Sequence, residues 1–329
     1  MKYFYSIIFF SLCFCQWFTI NHDGNNRSYY VAYPDGVDEL APLVINMHGY
    51  GGNAAGQISY TQMNQYAHNQ GMAVVYPQGL NNSWNVYTYW DSNPYDDVGF
   101  ISSMIDSIAS DFNIDLDRVY ACGMSNGGYM TYRLACDLSD KIAAFGSVTG
   151  NCMINTNLAG DCMGQSREIP IIHFHGTADG VVGYYPPSFD GSLTVNESIN
   201  FWSEYNNFTD EYVEDINNNV EVYTYSKESS DTKFIHYKVY GGGHEWFNNA
   251  WGFNASSELI SFFSNYKLSD FYAIQGDFNE DQNINVLDVI ILVNHILNPG
   301  TVELEGADIN QDGNIDVLDV ISLLNIILY

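Results

Sequence analysis

Apolar runs and stretches of helical period alternate along this chain. Short apolar runs at Pro42 to Met47, Ala73 to Tyr76, Val119 to Gly123, Ala143 to Val148 and Ile169 to Phe174 are separated by stretches of helical period. Those stretches are Ala54 to Asn69, Val98 to Ser110, Gly127 to Cys136 and Thr194 to Asn206. Runs with no polar face, joined by amphipathic segments long enough to cross over, describe strands of a mostly parallel sheet covered by helices on both sides. An α/β fold follows. Residues 17 to 33 alternate around Asp23-Gly24-Asn25-Asn26, which predicts an opening hairpin. Strands at Val220 to Tyr225 and Phe234 to Tyr240 and a helix at Ser256 to Tyr266 complete the domain.

Composition removes several functions. With 39 Asp+Glu against 10 Lys+Arg the net charge is -29, so the basic clusters that release counterions from nucleic acid are lacking, and anionic membranes are disfavoured too. The 26 Tyr, 19 Phe and 6 Trp can build a large core, unlike an acidic disordered chain. At the start, Lys2 precedes an apolar run from Tyr3 to Cys15 broken only by Ser6 and Ser11. This is shorter than the about 20 residues a bilayer crossing needs, and residues 1 to 15 read as a secretory signal peptide, with no membrane association after cleavage. An uncleaved anchor, extended through Trp17, Phe18 and Ile20, is the competing reading. Secretion to the outside or the periplasm would leave Cys122, Cys136, Cys152 and Cys162 in an oxidising compartment, where four thiols allow three pairings.

From about Gly276 the character changes. Residues 277 to 329 hold ten acidic residues and no Lys or Arg, and GDFNEDQNINVLDVIILVNHIL repeats as ADINQDGNIDVLDVISLLNIIL with Asp277 aligned to Asp308. The expected organisation is a catalytic domain over 16 to 266, a linker over 267 to 276 and the repeat module over 277 to 329.

The sharpest motif is Gly123-Met124-Ser125-Asn126-Gly127 at a strand-to-helix junction. A tight turn there lifts the serine oxygen out of the sheet, small neighbours avoid clashes, and the following N–H points at a developing oxyanion. His48-Gly49-Tyr50-Gly51-Gly52, directly after a strand, is a candidate for the other half of an oxyanion hole, with His48 structural. A serine nucleophile needs a base and an orienting acid, which follow it in the order Ser, Asp or Glu, His in this topology. His236 lies inside a strand and His295 on an apolar helix, whereas His244 lies in the loop Gly241-Gly242-Gly243-His244-Glu245-Trp246 and is taken as the base. Asp179, following a strand through His175-Gly176-Thr177-Ala178, is the favoured acid, with Asp190 as runner-up. Asp96 or Asp97 reads as the N-terminal cap of the helix from Val98.

Together HGYGG, YWDSNPYDDVGF, GMSNGG, HGTAD and GGGHEW, in this order, resemble the polyhydroxybutyrate depolymerase and feruloyl esterase-like family of secreted α/β-hydrolases over residues 17 to 266. The resemblance implies Ser125 as nucleophile, Asp179 as acid, His244 as base, and the backbone N–H groups of Tyr50 and Asn126 as the oxyanion hole. Trp246, Trp90 and Tyr184 become candidates for the substrate pocket, although Gly183 stands where similar proteins often carry proline. Similar proteins also carry cysteines at the positions of Cys136 and Cys162, which implies that pair. Cys122 then either reaches Cys152 or stays a small buried residue without a partner.

In each acidic repeat, side-chain oxygens fall at loop positions 1, 3, 5, 9 and 12: Asp277, Asn279, Asp281, Asn285 and Asp288, then Asp308, Asn310, Asp312, Asp316 and Asp319. Asn283 and Asn314 supply backbone carbonyls at position 7. Oxygen donors at this spacing suit Ca²⁺. The arrangement resembles a type I dockerin, a paired loop-helix, all-α calcium module with cohesin as its partner in some systems. Position 6 is Gly313 in the second loop but Gln282 in the first, so the first site is expected to be weaker. The reading is a secreted serine esterase that needs no catalytic cofactor and acts on feruloyl or acetyl esters of polysaccharide, or on a polyester. A serine peptidase on the same fold, or a non-catalytic polymer-binding assembly protein, is the alternative.

Overall fold

The computed structural model describes residues 15–37, 39–153, 162, 167–188, 191–272, 275–279, 284–298, 304 and 306–328. Residues 1–14 of the expected signal peptide, the runner-up acid Asp190, and Asp281, Gln282 and Asn283 of the first acidic loop lie outside them. The chain forms two compact units, Met1–Lys267 and Leu268–Tyr329. Among the described residues no helix is long and apolar enough to cross a membrane.

The first unit is built on one 10-stranded sheet. Its strands are β1 (Cys15–His22), β2 (Asn25–Ala32), β3 (Ala41–Met47), β4 (Ala73–Pro77), β5 (Ile114–Met124), β6 (Ala144–Val148), β7 (Ile171–Gly176), β8 (Asp210–Asn217), β9 (Val220–Lys227) and β10 (Ser230–Val239). Their order is β1-β2-β4-β3-β5-β6-β7-β10-β9-β8. The centre, from β4 through β3, β5, β6 and β7 to β10, is parallel, and antiparallel strands finish both ends. Every residue of β3, β4, β6 and β7 is buried, which is why these strands read as unbroken apolar runs.

The helices are α1 (Ala54–Thr61), α2 (Met63–His68), α3 (Asp97–Asp111), α4 (Asn126–Asp137), α5 (Val195–Tyr205) and α6 (Ala255–Phe263). The helix expected over 54 to 69 is two, because Gln62 adopts φ 50° and breaks the first after its N–H reaches the Ile58 carbonyl. Since β3, β5, β7 and β10 run parallel, the loops that follow them emerge at one edge of the sheet, where Ser125, Asp179 and His244 stand.

Cys136 and Cys162 form a disulfide. Cys122 and Cys152 are buried and free, which corrects the expectation that they could pair. The sheet separates them: Cys122 faces Leu259 and Phe263 of α6 across Gly146, whereas the Cys152 thiol lies against Trp202 of α5 on the other side.

The second unit contains α7 (Val286–Leu297) and α8 (Val317–Leu328). Leu292, Leu323 and Ala307 are its buried centre, ringed by Phe278, Ile284, Val289, Ile296, Leu304, Ile309, Val320 and Ile327. Leu292 and Leu323 occupy equivalent places in the two repeats, so one buried position per repeat meets its counterpart.

Candidate active site

The G-x-S-x-G motif is a packing requirement before it is a chemical one. Ser125, between β5 and α4, has φ 54° and ψ −120°, and its N–H donates to the Val148 carbonyl at 2.8 Å. A Cβ on Gly123 would come within 2.5 Å of the Gly127 backbone, and one on Gly127 within 2.4 Å of the Met47 carbonyl. Only glycine at both places lets the turn close and hold the serine in a conformation L-residues rarely adopt.

The loop after β3 lies against this turn, since a Cβ on Gly49 would sit 3.3 Å from Ser125 Cβ. Its shape is set from behind. His48 is buried, and its ring spans the Gly49 carbonyl (2.8 Å) and the Gly79 N–H (3.1 Å), while Trp84 Nε1 donates to the His48 carbonyl at 2.8 Å. Burial lowers the pKa of His48, in keeping with a structural, neutral ring. The Asn126 side chain clamps the Trp84 backbone, accepting from its N–H at 2.7 Å and donating to its carbonyl at 3.0 Å. Among the described residues no backbone acceptor takes the Tyr50 or Asn126 N–H, so both donors are available to a ligand.

His244 Nδ1 and Asp179 Oδ2 are 2.8 Å apart. The other carboxylate oxygen, Oδ1, accepts the Val181 and Val182 N–H groups at 2.8 Å each. Burial on its own would raise the Asp179 pKa, but contacts with His175 and His244 and the Val181 N–H outweigh it and hold the carboxyl well below the usual range. The Asp179 carboxylate is therefore charged and fixed. Among the described residues the Ser125 hydroxyl has no hydrogen-bond partner; such contacts commonly tighten only when substrate binds.

Trp90 meets Tyr50 edge to face, with centroids 5.3 Å apart, and Tyr50 is 59% exposed, so these rings rim the serine's edge of the sheet. Two pocket expectations need correction. Trp246 is 3% exposed; its N–H donates to Tyr60 Oη and its indole Nε1 to Ser256 Oγ, so it pins the loop that carries His244 to the helices beneath. Tyr184 is 5% exposed and bonds His236 at 2.9 Å, leaving Tyr185 as the exposed ring of that segment. Asp96 caps α3, accepting from the Gly99 N–H, while Asp97 is fully buried against Arg27, the Asn85 N–H and Asn93. Burial raises the Asp97 pKa despite that ion pair.

In the second unit, Asp308 accepts from the Asp312 and Gly313 N–H groups, Asn310 from Asp312, and Asp312 from Asn314. Gly313 has φ 87°, the turn its position requires. Asp288 and Asp319 are fully buried and tie their loops to the following helix starts through Asn285 and Asp316. Asp277, Asn279 and Asn285 flank the undescribed centre of the first loop.

A sheet whose parallel centre delivers a positive-φ serine, a charged aspartate and its histidine to one edge is that of an α/β-hydrolase. Residues 27–183 match the family model described as esterase PHB depolymerase, and residues 275–328 match that of the dockerin type I domain. The first unit is thus similar to feruloyl esterase-like α/β-hydrolases and the second to type I dockerins. It is 31% identical over 222 residues to a bifunctional acetylxylan esterase/xylanase of Neocallimastix patriciarum, covering 67% of this chain and 31% of that protein. It is 32% identical over 235 residues to feruloyl esterase B of Piromyces equi, covering 66% and 42%. The chain thus spans less than half the length of these curated relatives. Among solved structures, an acetyl xylan esterase from Aspergillus awamori superposes with a TM-score of 0.55 at 16% identity, over 75% of this chain and 99% of that one. A ferulic acid esterase from Anaeromyces mucronatus gives 0.50 at 18%, over 77% and 90%, and both likenesses concern the fold.

Proposed function

We propose that the chain is a secreted serine carboxylic-ester hydrolase acting on polysaccharide-bound esters. The observation that carries this reading is the Asp179–His244 contact at 2.8 Å, at the sheet edge where Ser125 is presented. Ser125 Oγ attacks the ester carbonyl as His244 Nε2 takes its proton, while Asp179 holds the Nδ1–H tautomer. The Tyr50 and Asn126 N–H groups receive the oxyanion. His244 then protonates the leaving alcohol, and water repeats the sequence to free the acid.

The names of the relatives and the aromatic rim of Tyr50 and Trp90 support a feruloyl or acetyl ester as substrate, with the flat rings favouring the aromatic acyl group. Methyl ferulate, acetylated xylan and polyhydroxybutyrate, assayed side by side, test this. Turnover of the polyester alone would reject it.

The dockerin is proposed to bind calcium through its two acidic loops and to dock a cohesin-type partner. Every donor is an oxygen, and the second loop already turns at Gly313, so the residues fit a hard cation. Bound calcium would offset the repulsion among the carboxylates.

A further inference from the structure

Behind the acid lies a buried row of rings that the reaction as written leaves unused. Tyr132 Oη is 2.6 Å from His173 Nδ1, His173 Nε2 is 3.0 Å from His175 Nδ1, and His175 Nε2 is 2.8 Å from the Val182 carbonyl and 3.4 Å from Asp179 Oδ2. All three side chains are at most 1% exposed. The direction of the row is fixed at its far end. A carbonyl and a carboxylate can only accept, so His175 carries a proton on Nε2. In the neutral ring its Nδ1 must then accept from His173 Nε2–H, and His173 Nδ1 from the Tyr132 hydroxyl. Burial holds His173 well below the usual imidazole range and keeps Tyr132 protonated, which agrees with this order.

We infer that His175 is a positioning residue for the ester hydrolysis proposed above: its Nε2–H, locked in that tautomer by His173 and Tyr132, fastens the loop from Asp179 to Val182 and shares the Asp179 oxygen that faces His244. It acts through Asp179. The shared oxygen is the point of the arrangement, because His175 and His244 both approach Oδ2. Removing one donor concentrates the negative charge on the other, which favours the imidazolium form of His244 and withdraws the free base at low pH.

Other titratable groups face the row. Tyr132 stands on α4 with Cys152 beside it, Tyr184 and Tyr185 in the loop after the acid, His236 and Lys238 on β10, and Tyr223 on β9. Burial pushes His236 down to about 3 and raises Tyr132 and Tyr184, and a hydrogen bond to Glu221 raises Tyr223, so none of these four changes charge across the acidic limb.

The test is the pH dependence of kcat/KM on a soluble ester for the full chain, with His175→Phe and His175→Gln. Phenylalanine keeps the ring volume without a donor; glutamine places an amide N–H near the Nε2 position. His175→Phe is expected to lower kcat about tenfold with KM little changed, and to move the acidic limb upward by roughly half a pH unit. His175→Gln should restore most of both. If the Phe variant does not fold, His175→Asn, which keeps a polar group only toward His173, must show the same displaced limb. An unmoved limb in a folded variant lacking the donor, or equal loss in the Gln and Phe variants, would overturn the inference. If Ser125→Ala and His244→Ala retain activity, it is the esterase reading itself that fails.

Discussion

Replacing Ser125 or His244 by alanine is expected to lower kcat by roughly 10⁴-fold or more with the fold intact, because triad members act as a unit. Asp179→Asn should cost less than either yet still orders of magnitude, since an amide cannot hold the same tautomer. Steady-state kinetics on a p-nitrophenyl ester check all three, and a near-wild-type Asp179→Asn enzyme would return the acid's role to another carboxylate. Asp179 also carries a pH signature. Its pKa is depressed in the fold, so its ionised form contributes stability that is complete above the unfolded carboxylate value of about 4 and is lost as the pH falls toward the folded value. Melting temperature should therefore drop below about pH 4 in the wild type, and Asp179→Asn should flatten that dependence. The sequence carried the places of Ser125, Asp179 and His244 in the loops after β5, β7 and β10, because each followed a legible strand, and the structure brings Asp179 and His244 into contact there. The sequence did not carry side-chain direction. Trp246 and Tyr184 neighbour the base and the acid in sequence, yet both turn inward, to Ser256 and to His236. Nothing in a one-dimensional spacing says which side of a loop an aromatic ring will occupy.

The elements that were legible are those whose burial is uniform. β3, β4, β6 and β7 are buried along their whole length, and α3 and α5 bury one face, so both kinds left a pattern to read. β8 left none. It is an edge strand, exposed at all eight residues of DEYVEDIN, and its place is set by pairing with β9 rather than by a buried face. The break between α1 and α2 was equally silent, because the apolar period continues across Gln62. A different device holds the segment 83 to 96, which carries Trp90 to the active edge. Its anchor is Asp97, bonded to Arg27, which in turn lies 3.8 Å over the Phe100 ring. Arg27→Met should destabilise the first unit by about 3–5 kcal/mol, because it strands a buried carboxylate. Adding Asp97→Leu should recover part of that loss. Urea unfolding of the single and double variants measures both, and additive losses would mean that the pair is not the anchor. In Gly127→Ala the methyl meets the Met47 carbonyl at 2.4 Å, and the variant should lose ester turnover by opening the elbow even if it folds.

Across the whole molecule, the two compact units divide the chemistry. Ser125, Asp179, His244 and the Tyr50 and Asn126 N–H groups all belong to Met1–Lys267, and the acidic loops belong to Leu268–Tyr329. The repeat was legible because two copies of one loop-helix pattern, in a segment with ten acidic residues and no basic one, fix each other's reading. The helices α7 and α8 have 12 residues each and bury only one leucine and one aspartate apiece. Helices that short are marginal alone in water, and their small shared centre at Leu292, Leu323 and Ala307 leaves folding dependent on the loops being neutralised. The isolated module is therefore expected to be largely unfolded in EDTA and helical with Ca²⁺, followed by far-UV circular dichroism. Gln282→Gly should strengthen the first site and Gly313→Gln weaken the second, each seen by calorimetric titration with calcium. A chain truncated after Lys267 should keep the small-ester kcat/KM of the full protein, and EDTA should leave that activity unchanged while it melts the module. A fall in small-ester turnover on chelation would contradict the division, and would mean instead that calcium supports the hydrolase unit directly.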